Sequence, residues 1–306
     1  MSIVVVGSIN LDIACYGETL PRSGETVHSE RYAIGLGGKG ANQAAAAARL
    51  GNQVAMIGRV GNDSFGEQAL AALNDFGADT SGVLRDTANA TGIAIIGVDA
   101  RGENAISVIA GANMALDASD LARGGDAIAH CKVLLTQREI PEEVTLAACR
   151  QARRAGAIAI HDPAPAPKHG MPDALLGEFD WLTPNESECE ALTGIRPASP
   201  TEAARAADRL IARGARTVVV KMGANGVYAK GPGVEAFVPP FPVKTVDSVG
   251  AGDCFNAGLA DALARGAALP AALRFAAACG ALATTRYGAA AAAPERVEVE
   301  ALLARA

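Results

Sequence analysis

Short apolar runs rich in Val and Ile recur along the chain, and longer Ala-rich stretches lie between them. The runs are 3–6, 54–57, 133–135, 158–160 and 218–220, and the longer stretches include 40–50, 64–76, 141–155 and 251–265. Apolar β-branched runs of this length are typical of strands buried on both faces, and the longer stretches have the length of helices. This alternation predicts an α/β fold with a parallel sheet and crossover helices.

Two segments interrupt the alternation. Residues 13–35 and 91–109 contain short, partly alternating runs at 26–29 and 92–98, with turn-forming residues between them. We expect these segments to form a small separate sheet that acts as a lid. The predicted domains are therefore a core of residues 1–12, 36–90 and 110–306 and a lid of residues 13–35 and 91–109.

The composition is that of an ordinary globular protein. Of the 306 residues, 50% are hydrophobic and 20% are charged, and the net charge is −6. Lys and Arg form no run longer than Arg153-Arg154, which argues against a nucleic acid or an anionic membrane as a partner. No apolar stretch reaches about 18 residues, and the N-terminus lacks a basic region followed by an apolar one. We therefore expect a cytoplasmic protein.

The six cysteines include no C-x-x-C pair, and most of them lie in apolar runs. This pattern favours reduced thiols in the core over disulfides or a zinc site. Cys254, beside Asp253, is the one candidate for a reactive thiol.

The turn Asp247-Ser248-Val249-Gly250-Ala251-Gly252-Asp253 has the most specific chemistry. Its small residues let the backbone approach a ligand. The unpaired N–H groups at the start of the following helix favour a negative charge such as a transferring phosphoryl group. Asp253 lies where it can take a proton from a hydroxyl group. Alone, the same residues are also compatible with an Asp that caps a helix after a Gly-rich turn.

A second glycine cluster, Gly37-Gly38-Lys39-Gly40-Ala41-Asn42-Gln43-Ala44, follows the segment Gly7-Ser8-Ile9-Asn10-Leu11-Asp12. The cluster is not a P-loop, because Ala33 and Gly40 stand where that motif needs Gly and Ser or Thr. Nor is it a dinucleotide fingerprint, which needs a buried strand directly before it and an acidic residue about 20 positions later. The residues suit a sugar, because backbone N–H groups, Asn42 and Asp12 can bond hydroxyl groups.

Together these motifs resemble those of the ribokinase-type carbohydrate kinases. In that family a G-x-x-N-x-D, a G-G-x-G-x-N and a D-[ST]-x-G-A-G-D occur in this order and at about these separations. The resemblance runs along essentially the whole chain and includes residues 110–113, 183–186 and 285–289. Lys39 and Gln43 make the second motif more similar to the ribose kinases of the family than to its fructokinases or nucleoside kinases.

The resemblance implies a three-layer α/β/α sandwich with a mainly parallel sheet and a small β-sheet lid that pairs two subunits into a homodimer. It implies ATP-dependent phosphorylation of D-ribose at the 5-hydroxyl. Asp253 would act as the general base, and the helix N-terminus would form the anion hole with Gly250, Ala251, Gly252 and Asp253.

The family pattern also implies binding residues. Those for the sugar are Asn10, Asp12, Gly38, Lys39, Asn42, Glu139 and Asp253. Those for the nucleotide are Asn185, Lys221, Gly223, Gly226, Gly252 and Ala277. Mg²⁺ is implied to be organised through water by Glu188. A monovalent cation, K⁺, is implied beside the anion hole, with ligands from Asp247, Val249, Ala283, Arg286 and Gly288.

Three residues depart from the family pattern. Lys221 stands where Thr is frequent, Ala277 where His or Asn is common near the adenine, and Ala292 lacks a hydroxyl that often completes the cation cage. Two alternatives stay open: a kinase of the same fold for another pentose, deoxyribose or a nucleoside, and a catalytically silent sugar-binding regulator. Retention of Asp253 and its glycines argues against the regulator.

Overall fold

The computed structural model describes residues 2–305; Met1 and Ala306, the ends of the predicted core, lie outside the described residues. The strands, in chain order, are β1 (Ile3–Val6), β2 (Asn10–Gly17), β3 (Ser29–Gly37), β4 (Val54–Gly61), β5 (Ala78–Asp86), β6 (Gly92–Val98), β7 (Asn104–Ile109), β8 (Val133–Thr136), β9 (Ile158–His161), β10 (Trp181–Leu182), β11 (Thr217–Lys221), β12 (Val227–Gly231) and β13 (Val234–Val238). The helices are α1 (Lys39–Arg49), α2 (Ser64–Asp75), α3 (Ala118–Arg123), α4 (Gly125–Ala129), α5 (Glu142–Arg154), α6 (Asp173–Leu176), α7 (Glu186–Thr193), α8 (Pro200–Ala212), α9 (Ala251–Ala264), α10 (Leu269–Ala283) and α11 (Arg296–Arg305).

Nine strands form the larger sheet, in the order β13-β12-β11-β10-β9-β8-β1-β4-β5. From β11 to β5 all neighbouring strands are parallel, whereas β12 runs antiparallel to β11 and β13. Every residue of β1 is buried, which explains why its sequence is a continuous apolar run. The predicted mainly parallel sheet with crossover helices is confirmed.

Helices cover both faces of this sheet. Ile3 and Val5 belong to a buried cluster with residues of α1, α2, α9 and α10, whereas Val4 and Val6 belong to one with residues of α5, α7 and α8. Because successive side chains of a strand point to opposite faces, these two clusters are the two halves of a three-layer α/β/α sandwich. Within residues 2–305, no helix combines the length and the apolar character needed to cross a membrane.

The smaller sheet has four strands in the order β3-β2-β6-β7. Its strands come from the two interrupting segments, but β2 begins at Asn10 and β3 extends to Gly37. The predicted strand at 26–29 is wrong, because residues 26–28 are irregular and the strand begins at Ser29. The reason is pairing: β2 supplies partners for β3 from Ser29 onward.

The candidate site lies where the parallel strands end. The carboxyl ends of β1, β8 and β9 meet at one edge of the larger sheet, because these strands are adjacent and parallel. Ligands of open α/β sheets collect at this edge. The loops after these strands supply the polar side chains described next.

Candidate active site

The start of α9 is shaped by small residues. Gly250 precedes the helix with φ of 75°, a left-handed conformation that residues with a side chain rarely adopt. A Cβ at this position would also lie 2.7 Å from Cα of Ala289. The helix begins at Ala251, whose N–H donates to the carbonyl of Ser248 at 3.3 Å, and the N–H groups of Gly252 and Asp253 have no acceptor within the helix. This end of α9 is therefore an open, electropositive site of the kind that binds anions.

Asp253 lies in this first turn, and only 4% of its surface is exposed. Its Oδ2 accepts a hydrogen bond from Nδ2 of Asn42 at 3.3 Å, and its Oδ1 accepts one from Nε2 of Gln43 at 3.0 Å. Burial raises the pKa of Asp253; the Lys39 ammonium opposes this rise, and Asp162 adds to it. The net raised pKa makes this carboxylate a better proton acceptor than one in water.

Helix α1 begins close to the same carboxylate. Its N-cap residue Gly38 has φ of 82°, and a Cβ there would lie 2.8 Å from the backbone nitrogen of Asn10. Oε2 of Glu139 accepts hydrogen bonds from the backbone nitrogen of Lys39 at 2.9 Å and from Oγ of Ser8 at 2.5 Å. Glu139 therefore compensates the positive end of α1 and ties it to the loops after β1 and β8.

Four carboxylates act electrostatically on the ammonium group of Lys39. Burial acts to lower its pKa, but Asp253, Asp162, Glu139 and Glu188 together raise the pKa well above its usual value. Lys39 is therefore positively charged at neutral pH and offsets part of the negative charge around it.

Asp12 brings a further carboxylate to this place from β2 of the smaller sheet. Burial raises the pKa of Asp12 to about 6, and the charges of Glu139 and Asp253 add to the rise. Asn10 lies two residues earlier on the same strand, and its Oδ1 accepts a hydrogen bond from Nδ2 of Asn113 at 2.7 Å. The smaller sheet thus contributes polar groups directly to the site.

On the other side of Asp253, the ammonium of Lys221 pairs with Asp162 at 3.1 Å. A Cβ on Gly252 would lie 3.4 Å from this ammonium, so Lys221 is adjacent to the first turn of α9. Asn185 caps α7: its Oδ1 accepts from the backbone nitrogen of Glu188 at 2.9 Å, while Oε2 of Glu188 accepts from the backbone nitrogen of Asn185 at 2.8 Å.

The remaining predicted nucleotide residues lie on two separate elements. Gly223 opens a short 3-10 turn after β11, and Gly226 closes it with φ of 89°. A Cβ on Gly226 would lie 3.1 Å from the ring of Phe237. Ala277 is on α10, where it packs against the core, and the structure places it in no hydrogen-bonded contact with the residues above.

Asp247 joins two loops next to α9. Its Oδ1 accepts a hydrogen bond from the backbone nitrogen of Val249, and its Oδ2 accepts one from that of Gly288, both at 3.0 Å. The side chain of Arg286 pairs with Glu298, so any contribution of Arg286 to a cation site would come from its backbone. The side chain of Ala283 is completely buried at the end of α10.

The expectation of a reactive thiol at Cys254 is wrong. The residue is 2% exposed, and burial raises the pKa of its thiol well above the usual value, with a further contribution from Asp253. Because consecutive helical residues are about 100° apart, the position after Asp253 points into the core instead of the site. A reactive cysteine needs exposure and a lowered pKa.

Asp162 is a candidate that the motifs do not reveal. It follows β9 directly, is 2% exposed, and accepts hydrogen bonds from Lys221 and from Nε2 of Gln43, the latter at 3.3 Å. The available signal was a carboxylate placed directly after a buried parallel strand. Gln43 lies within the second motif, but its contacts with both carboxylates depend on the fold.

The model of the pfkB family carbohydrate kinases matches residues 1–296 of the chain. The chain belongs to this family. It is 40% identical over 269 residues to the ribokinase of Mus musculus, a match that covers 86% of this chain and 82% of that protein. It is 37% identical over 297 residues to the ribokinase of Haemophilus influenzae, covering 97% and 96% of the two chains.

A solved structure gives the same result for the fold. The ribokinase of Arabidopsis thaliana, complexed with ribose and ATP, has a TM-score of 0.90 and 33% identity, and the match covers 99% of this chain and 98% of that one. Membership of the pfkB family identifies the chain as a sugar kinase, a phosphotransferase. The site contains backbone N–H groups at the start of a helix and a buried carboxylate, the two kinds of group that phosphoryl transfer to a hydroxyl requires.

Proposed function

We propose that this chain transfers the γ-phosphoryl group of ATP to the 5-hydroxyl of D-ribose and releases ribose 5-phosphate and ADP. The observation that carries the proposal is the position of Asp253. Its buried carboxylate lies in the first turn of α9, whose N-terminus is of the kind that binds anions, and it accepts a hydrogen bond from Asn42. Ribokinase relatives that match most of the chain support ribose as the sugar, and the ribose and ATP in the Arabidopsis complex support this substrate pair.

The sugar would lie between the start of α1 and β2. Asp12 would accept hydrogen bonds from vicinal hydroxyl groups, and the amide of Asn42 would contact a hydroxyl near Asp253. The other sugar contacts in this proposal are Asn10, Gly38, Lys39 and Glu139. Glu139 already accepts two hydrogen bonds on Oε2, so its other oxygen would meet the sugar.

In the transfer step, Asp253 takes the proton of the 5-hydroxyl while the sugar oxygen bonds to the γ-phosphorus. The bond from that phosphorus to the leaving oxygen of ADP breaks. A positioned general base contributes about 10²–10⁴-fold to such a rate. The backbone N–H groups of Gly250, Ala251, Gly252 and Asp253 stabilise the charge on the transferring group.

The nucleotide would bind along the ends of β10 and β11. Its proposed contacts are Asn185, Lys221, Gly223, Gly226, Gly252 and Ala277. Within residues 2–305, no group of three or more His, Cys, Asp and Glu side chains is arranged to hold a metal ion by itself. Magnesium commonly uses one or two carboxylates, water and substrate phosphates, and the buried Glu188 fits that pattern. When bound, Mg²⁺ would neutralise phosphate charge.

A monovalent cation, K⁺, would bind beside the anion hole. Asp247 holds Val249 and Gly288 in fixed positions, so the carbonyl groups of this loop and of Ala283 and Arg286 can converge. A cation there would fix the backbone donors of α9. Ala292 offers no hydroxyl, so the cage would be completed by carbonyl groups or water.

We further propose that residues 13–35 and 91–109 act as a lid on the core and that the lid pairs two copies of the chain. Ile34, Ile13 and Ile95 are neighbours across three strands and share the face opposite to that of Asp12. Ile34 is 45% exposed and Ile95 46%, although both are large and apolar. A second copy packed on this face would remove them from water.

The test is a coupled ADP-release assay with ribose, 2-deoxyribose, other pentoses and nucleosides. Ribose should have the highest kcat/KM. Asp253→Asn should lower kcat by about 10² or more with little change in ribose affinity. Turnover close to that of the unmodified enzyme in this variant would exclude Asp253 as the base. A higher kcat/KM for another sugar would refute ribose as the substrate and leave the assignment of the base intact.

A further inference from the structure

Gln43 is completely buried, and each polar atom of its side-chain amide is used. Its Nε2 donates to Oδ1 of Asp253 at 3.0 Å and to Oδ2 of Asp162 at 3.3 Å, while its Oε1 accepts from Nε2 of Gln137 at 2.7 Å. Turning the amide over would place its oxygen against two carboxylates and its NH₂ against the donor of Gln137. The orientation of Gln43 is therefore fixed by its surroundings.

The second oxygen of Asp162 continues this arrangement. Its Oδ1 accepts from Nζ of Lys221 at 3.1 Å, and the side chain of Lys221 is only 12% exposed. Lys221 in turn lies beside Gly252 in the first turn of α9. Hydrogen bonds thus link Lys221 through Asp162 and Gln43 to Asp253, and the ammonium of Lys221 lies beside the first turn of α9.

We propose that Lys221, Asp162 and Gln43 are positioning residues that connect the anion site to the base, so that a phosphate bound beside Lys221 changes the electrostatic surroundings of Asp253. The proposal rests on the role of Asp253 in the proposed function and adds how that role is regulated. It assigns a purpose to Asp162 and to the amide of Gln43.

The physical argument concerns the charge on Asp162. Without a ligand, Lys221 neutralises Asp162. A phosphate at the start of α9 attracts the same ammonium, and Asp162 then loses part of its counter-charge. A less neutralised Asp162 disfavours the ionised form of Asp253 and so raises its pKa further, in the direction in which Asp162 already acts. The base therefore becomes stronger when the phosphoryl donor is present.

Other charged groups also face Asp253, and the comparison of variants must leave their effect on its titration unchanged. They are Lys39 from α1, Glu139 from the loop after β8 and Asp12 from β2. Lys221→Met and Asp162→Asn leave all three unchanged, so a difference between these two variants reports on the Lys221–Asp162 pair.

The decisive measurement is the titration of Asp253 by ¹³C NMR in protein labelled at the aspartate carboxyl carbons, with the signal assigned by its loss in Asp253→Asn. Asp162→Asn should lower the titration midpoint, because a negative neighbour is removed. Lys221→Met should raise it, because Asp162 is no longer neutralised. Adding the non-hydrolysable ATP analogue with a β,γ-methylene bridge should raise the midpoint in the unmodified protein by more than in Lys221→Met.

A midpoint that moves against the direction expected for its variant, or does not move, would overturn the proposal. Each variant has its own expected direction, so one folded variant is enough to decide. The titration uses no sugar, and its result is therefore separate from the ribose assay. Ribose phosphorylation with unchanged midpoints would refute the connection alone, and opposite shifts without ribose turnover would refute the substrate alone.

A kinetic measurement tests the positioning role of Gln43. Gln43→Met has a similar shape but no hydrogen-bonding groups, and it should lower kcat about 10-fold or more while ribose KM stays within about threefold. Gln68→Met replaces an exposed glutamine of α2 and is the matched control. A Gln43→Met enzyme with the kcat of this control, or with the loss confined to KM, would refute the role.

Discussion

Asp12 allows a test of the electrostatics of the site. Its buried carboxylate is proposed to bind the sugar, and in the absence of sugar the burial of this charge should lower the stability of the folded protein. The pKa of Asp12 is raised from 3.8 to about 6, and burial is the largest cause. The folded protein therefore holds a proton on Asp12 more tightly than the unfolded chain does. Stability is unaffected below about pH 3.8, falls as the pH rises through the window up to about 6, and stays lower above it.

The size of the effect follows from the same two values. A difference of about two pH units corresponds to roughly 3 kcal/mol, at about 1.4 kcal/mol per unit. Asp12 is partly exposed, so water relieves part of this cost, and about 1–3 kcal/mol is expected. Asp12→Asn keeps the shape of the side chain and removes its charge. The variant should therefore be more stable than the unmodified protein at pH 8, and by a smaller margin at pH 5.

Urea unfolding, followed by the fluorescence of the single tryptophan, measures this difference. Asp75→Asn changes an exposed carboxylate of α2 and should leave the free energy of unfolding unchanged at both pH values. Calorimetry should show that ribose affinity of Asp12→Asn falls by about 10-fold or more, because charged acceptors of sugar hydroxyls are lost. A variant that is less stable at pH 8, or equally stabilised at pH 5, would refute the electrostatic argument.

Three further predictions concern Gly250, the monovalent cation and the cysteines. Gly250→Ala should lower both kcat and the free energy of unfolding, because the new methyl group would meet Ala289 and the left-handed φ is unfavourable; wild-type turnover would contradict the anion hole. At fixed ionic strength, rates should be higher in K⁺ than in Na⁺ or tetramethylammonium, and Asp247→Ala should remove the difference; equal rates in all three salts would refute cation activation. The native protein should react with a thiol reagent at Cys15 at most, and modification of Cys254 before unfolding would contradict its burial.

Sequence reasoning is strongest where a feature lies within one turn or one run. The start of α9 after the turn 247–253 could be predicted because Gly250 adopts a left-handed conformation directly before the helix. The parallel sheet could be predicted because strands buried on both faces must be apolar throughout. The limits of the smaller sheet could not, since pairing with β2, and not local alternation, decides where β3 begins.

The charged part of the site was less accessible to prediction. Lys221 and Asp162 are 59 positions apart, and Gln43 and Asp162 are 119 positions apart. No local sequence pattern predicts such a contact. The sequence shows that Lys221 departs from the Thr that is frequent in the family, but it does not identify the partner of Lys221. For Cys254, closeness in sequence was misleading. Its neighbour Asp253 lies in the candidate site, but the helix directs the thiol of Cys254 into the core.

The contact between Asn42 and Asp253 joins positions 211 residues apart. During synthesis, most of the chain must therefore leave the ribosome before both side chains exist. Contacts between such distant positions require the closure of a long loop and form late in folding. In a refolding experiment, helical circular dichroism should thus recover earlier than turnover. A nascent chain that stops before α9 would lack both the proposed base and the proposed anion hole, so enzymatic activity would report on the folding of nearly the whole polypeptide.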